Sequence, residues 1–183
     1  MDKNTEFFTA KRVAILGVMT GVAYLLTILS FPIFPVVSFL KLDFSFAVML
    51  LAGYMLGPLS ATIIAISVNL LGSIGSLGGI IGAIANTSTA IVFVVLPTLL
   101  YKFKKGFKWV VIVLIVCSIL EVFVALITNR FINYPLYYKD QAKYQFEMQF
   151  WFLVAFNAIK CVTNGLITIL LYKRLKNLLG KFL

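Results

Sequence analysis

Three residues near the C-terminal end carry the clearest chemistry in this chain: Asn157, Lys160 and Asn164. Spacings of three and four put them on one helical face. Two amides supply both donors and acceptors, and an ammonium supplies donors alone. That combination suits the edge of a planar ligand bearing carbonyls and ring nitrogens. The same stripe also suits helix–helix hydrogen bonding, with Lys160 neutralised by Glu121 in a structural pair. Further polar groups fall within or beside apolar runs: Asn69, Asn86, Thr87, Glu121, Asn129 and Asn133. Such groups are costly inside a membrane unless they face a bundle interior, so they are the first places to look for function.

The elements that position these groups are apolar runs. The chain is 62% hydrophobic and 12% charged, with a mean hydropathy of +1.04. A bilayer span takes about 20 apolar residues, and 183 residues supply little beyond such spans. An all-α integral membrane protein is expected: one domain over 1–183, a bundle of six transmembrane helices. The expected spans are Val13–Phe31, Phe46–Leu56, Leu59–Leu71, Ala83–Tyr101, Trp109–Thr128 and Gln149–Tyr172. Pro32 and Pro35 end the first, and Gly57-Pro58 separates the second from the third. A glycine-dense stretch, Gly72 to Gly82, is too permissive for an ordinary helix interior. Asn129–Glu147 reads as a long, irregular connector.

The formal charge of +10 is explained by helix ends rather than by a nucleic-acid face. With six crossings, Lys3, Lys11, Arg12, Lys102, Lys104, Lys105, Lys108, Lys173, Arg174, Lys176 and Lys181 share one side. Lys41, Arg130, Lys139 and Lys143 lie opposite. The positive-inside rule then places both termini in the cytoplasm. Cys117 and Cys161 lie within apolar runs and read as buried thiols, not a disulfide. With no histidine, His-based catalysis and His-ligated metals are excluded. A phosphate-binding loop, a metal-ligand cluster and a Ser-based triad are missing too. A small membrane enzyme using Lys160 and Glu121 would lack a nucleophile. Ala10, Ala14, Gly17 and Gly21 line one face of the first span, which fits either internal packing or docking to a membrane partner.

Five stretches make the chain resemble the substrate-binding S components of energy-coupling factor (ECF) vitamin transporters. They are Leu40-Lys41-Leu42-Asp43-Phe44-Ser45, Ala52–Pro58, Asn86-Thr87-Ser88, Asn129–Tyr137 with its Asn-Tyr-Pro-Leu-Tyr ending, and Phe156–Lys160. The last two are most similar to the riboflavin-specific branch. Phe46-Ala47 departs from the family, where an Asp and an apolar residue before Pro are common. The resemblance implies a six-helix bundle in the bacterial cell membrane that captures a vitamin, here riboflavin, as transported ligand rather than cofactor. It implies partnership with a transmembrane coupling protein and two cytoplasmic ATPase subunits, and toppling of the loaded component. Under it, Asn157, Lys160 and Asn164 read the ring, while Asn129 and Asn86 take ring edge or ribityl hydroxyls. Leu42, Leu77 and Phe39 give apolar and lid contacts, and Gly78, Gly79 and Gly82 admit backbone approach. Asp43 either binds a hydroxyl or anchors its loop. Ala10, Ala14, Gly17 and Gly21 contact the coupling protein.

Overall fold

The computed structural model describes residues 9–74 and 79–182. Helix α1 (Ala10–Ile28) starts at Thr9, whose hydroxyl accepts the Arg12 N–H, as an N-cap should. After it comes a feature absent from the all-α expectation. A hairpin of two-residue strands, β1 (Phe31–Pro32) and β2 (Lys41–Leu42), pairs antiparallel with Phe31 opposite Leu42. A 3₁₀ turn at Pro35–Val37 lies between them. Helices α2 (Ser45–Leu56) and α3 (Pro58–Ser73) follow. They meet at Gly57, whose φ of +97° favours glycine, and Pro58 opens α3 without sacrificing a needed donor.

Helix α2 is the centre of the bundle. Phe46, Met49, Leu50, Ala52 and Tyr54 on it are buried, and it packs on α1, on α3 and on the last long helix. Its apolar residues run all round rather than along one stripe, as full burial requires. Gly53 marks the tightest approach: an added Cβ would lie 2.4 Å from Thr98 Cγ2 and 2.9 Å from Ala61 Cβ. At 12 residues α2 is only about 18 Å long, against about 30 Å of bilayer hydrocarbon. Its N-terminus therefore begins within the bundle, and the hairpin segment fills in above it.

A continuous helical stretch follows: α4 (Gly79–Ala90), a π-helical segment at Ile91–Val95 and α5 (Leu96–Phe103). A second runs through α6 (Phe107–Thr128), a π segment at Asn129–Asn133 and the short α7 (Tyr134–Tyr138). Each π segment ends two residues before a proline, Pro97 and Pro135. The proline ring lacks an N–H and clashes with the carbonyl four residues back, here Phe93 and Phe131. Widening the helix by one residue relieves that clash. The expected irregular connector 129–147 is thus almost wholly helical. The chain breaks at Lys139 (φ +48°), passes a 3₁₀ turn at Lys139–Gln141, and starts α8 (Ala142–Phe182) seven residues earlier than the Gln149 expected. Helix α4 likewise begins at Gly79 rather than Ala83.

Among the described residues, three helical stretches are long and apolar enough to cross a membrane: Ala10–Ile28, Gly79–Phe103 and Phe107–Tyr172. The last contains α6 and α8, which pack against each other. Helices α2 and α3 are apolar but shorter. The outer faces are lipid-like: Ile112, Ile115, Ile119, Phe123 and Ile127 of α6 are exposed, while Val110, Val113, Leu114, Cys117 and Glu121 point inward. The fold is an all-α membrane bundle carrying one small hairpin.

Candidate functional site

Lys160, on α8, is the hub of a buried polar cluster. Only 3% of its side chain is exposed. Its Nζ donates to Asn86 Oδ1 on α4 at 3.2 Å and lies 3.6 Å from Asp43 Oδ2. It also sits 4.1 Å from the centroid of the Phe46 ring. An ammonium is tolerated at this depth because carboxylate, amide oxygen and π-face share its charge. The alternative pairing with Glu121 is not what forms: Asp43 is the partner. Glu121 is fully buried and accepts the Cys161 thiol at Oε2 (3.2 Å), while its Oε1 has no hydrogen-bond partner among the described residues.

Asp43 performs the anchoring role among its two expected ones. Its Oδ1 accepts the Ser45 N–H at 2.9 Å and the Ser45 hydroxyl, an Asx-turn that caps the buried start of α2. Helix α2 also turns its positive end toward this carboxylate. Asn164 completes the seam. Its Nδ2 donates to Asp43 O (2.9 Å) and Lys160 O (3.0 Å), and its Oδ1 accepts the Ala47 N–H (2.9 Å). Both N–H groups of Asn164 and one lone pair of its oxygen are used within the bundle, tying α8 to the hairpin and α2. In this structure Asn164 holds the frame.

Asn157 lies one turn further along α8, buried, with Nδ2 donating to Leu153 O at 2.8 Å. Asn129, in the second π segment, donates to Ala125 O (2.8 Å) and accepts from Asn133 Nδ2 (3.1 Å). That segment packs against both α4 and α8, so Asn129 belongs to the same region as Asn86 and Lys160. Ser88 and Thr128 join hydroxyls at 3.2 Å between α4 and α6. Asn69 donates to Thr87 Oγ1 at 3.1 Å and serves as interhelical glue.

The hairpin segment packs against α7 and α8. Leu42 is buried with Val37, Leu40, Tyr134, Leu153 and Phe156. Phe39 is 46% exposed, its ring edge-on to Tyr134 at 6.4 Å. Tyr134 donates to Gln149 Oε1 (2.6 Å), fixing α7 to α8. Gly79 has φ +50°, and a Cβ added at Gly82 would meet nothing within 4 Å. Leu77 and Gly78 lie outside the described residues. Phe46 and Ser45 are neighbours that sequence spacing did not reveal, because their partners come from another helix or a turn. Asn133 stands four residues after Asn129, a spacing that puts both on one face only because this stretch is helical.

On α1 the small residues turn outward. Ala10, Ala14, Gly17 and Gly21 are exposed, whereas Leu16 and Ala23 face the bundle. A Cβ added at Gly17 or Gly21 would meet nothing within 4 Å, so the chain's own packing does not require these glycines.

This bundle, with a buried polar cluster and a bare small-residue face, has the form of a membrane solute-binding subunit. The chain belongs to the family of ECF transporter substrate-specific components, whose family model matches residues 11–172. It is therefore a multi-pass cell-membrane transport subunit and not an enzyme. It is 33% identical over 176 residues to the riboflavin transporter RibU of Staphylococcus aureus (strain TCH60), covering 93% of each chain. A solved structure of the S component of a bacterial ECF transporter matches with a TM-score of 0.79 and 33% identity, over 92% of this chain and 97% of the other.

Proposed function

We propose that this S component captures unphosphorylated riboflavin from outside the cell. The observation that carries the reading is the buried cluster in which Lys160, Asn86 and Asp43 meet. A flavin ring has one polar edge and a long apolar body, and needs a concave apolar slot with a few convergent polar groups. Lys160, Asn157, Asn86 and Asn129 supply those groups, and Leu42, Phe39, Gly79 and Gly82 supply the walls and lid. The riboflavin transporter at 33% identity supports the same ligand. The Lys160 charge is already balanced by Asp43, which disfavours a phosphorylated flavin.

In this reading the protein crosses the membrane six times with both termini in the cytoplasm, following the lysine and arginine bias. Ala10, Ala14, Gly17 and Gly21 dock a transmembrane coupling protein, and two ATPase subunits supply the energy that the chain itself has no means to supply. The bare, unconstrained surface of Gly17 and Gly21 supports this role. The test is the absorption spectrum of the purified protein, followed by titration with riboflavin. Flavin bands near one per chain support the assignment. A colourless protein unresponsive to riboflavin, in a preparation that binds a different vitamin, refutes it.

A further inference from the structure

We propose that Asn133 contacts the transported solute, its Oδ1 accepting a hydrogen bond from an N–H or O–H of the ligand. This rests on the flavin reading above and deepens it.

Asn133 closes the π segment between α6 and α7 and is 3% exposed. Its amide nitrogen is committed to Asn129 Oδ1 at 3.1 Å. Its amide oxygen is buried and has no hydrogen-bond partner among the described residues. More than nine in ten buried polar groups find a partner, because leaving one unmade is expensive. An apolar side chain of the same shape would avoid that expense, so packing alone gives no reason for an amide here. The Nδ2 bond instead fixes the rotamer and presents the oxygen in one direction. Asn129 already uses its oxygen on Asn133 and its nitrogen on Ala125 O, so its oxygen is the less available acceptor of the two.

Chemical complementarity calls for an acceptor of this kind. Lys160 has only donors to offer, and the Asn86 oxygen already accepts from that ammonium. Riboflavin carries donors too, one ring N–H and the ribityl hydroxyls, and these need an acceptor. The π segment packs against α4 and α8, the helices bearing Asn86 and Lys160. The widened turn that Pro135 imposes sets Asn133 in that region, and π segments recur at functional sites for this reason.

The experiment compares wild type, Asn133→Ala and Asn133→Leu in the full-length detergent-purified protein, by quenching of flavin fluorescence. Three ligands are titrated: riboflavin, 3-methylriboflavin (no ring N–H) and lumiflavin (no ribityl hydroxyls). Both variants should weaken riboflavin binding by roughly ten- to a hundredfold. The penalty should disappear for the one analogue that lacks the contacted donor, which assigns the contact to ring or chain. Wild-type affinity in both variants overturns the proposal. An equal loss for all three flavins also overturns it, because that is the signature of a disturbed fold. A wild type that binds none of the three removes the flavin reading itself, and the proposal with it.

Discussion

Replacing Asp43 by Asn tests the central charge arrangement directly. The substitution keeps the side-chain shape and an oxygen for the Ser45 donors, and removes only the negative charge 3.6 Å from Lys160 Nζ. At an effective dielectric of about 20, unit charges at that distance attract by about 5 kcal/mol. Removing one member of a buried pair typically costs about 3–5 kcal/mol. The Asn86 oxygen and the Phe46 ring remain beside the ammonium, which keeps the loss at the low end of that range. A loss of about 3 kcal/mol is expected, or a fall in melting temperature of roughly 6–12 °C for a chain of this length. The assay is thermal unfolding followed by intrinsic fluorescence, on Asp43→Asn, Lys160→Met and the double variant. If the two groups form one unit, the double variant is more stable than the sum of the singles allows. Asp43→Asn melting within a degree of wild type, or strict additivity in the double, would refute this account of Lys160. A second readout follows from the bare ammonium: the variant should bind flavin mononucleotide better, relative to riboflavin, than wild type does.

Asn164→Leu removes three buried hydrogen bonds at once and should lower stability by about 2–4 kcal/mol, with binding lost through the freed hairpin; wild-type melting would show that the seam is redundant. Asn157→Ala, measured by riboflavin titration, should weaken binding roughly tenfold while melting shifts little; unchanged affinity takes that residue out of the site. Gly53→Ala drives a Cβ to 2.4 Å from Thr98 Cγ2 and should cost about 1–3 kcal/mol. Thr98→Ser in the same chain should recover part of that loss, since it removes the nearest atom, and thermal melting of the pair checks it. Gly17→Trp or Ala14→Trp should abolish vitamin uptake by whole cells and leave purified binding intact, and parallel loss of binding would mean that the face packs internally.

Much of the architecture was legible one residue at a time. Continuous apolar runs announced the helices, because burying or immersing them is the only way to satisfy both side chains and backbone in lipid. Gly57-Pro58 was readable as a junction for equally local reasons. The stretch 129–147 reads as an irregular connector in the sequence, but tertiary packing keeps it almost wholly helical, and Pro135 is absorbed as a π widening. A proline also sits at Pro97 inside a run that reads as helix, so a proline alone does not separate the two cases. The hairpin was not foreseen, since strands of two residues leave no periodicity to read.

The polar stripe shows where the boundary falls. Spacing alone placed Asn157, Lys160 and Asn164 on one face of a helix, and the rarity of a membrane-buried lysine marked that face for function. Which charge answers Lys160 was not decidable from the chain. Glu121 is much the nearer of the two in sequence, and only the packing of α2 and its loop against α8 brings Asp43 within 3.6 Å. Nor does composition tell an amide that reads a ligand from one that holds a frame. Asn164 and Asn133 are the same residue type, yet one is bonded at both ends of its amide and the other keeps a buried oxygen without a partner among the described residues. Side-chain chemistry is a property of the sequence, but the partners that spend it or leave it available are set by helices meeting across the bundle.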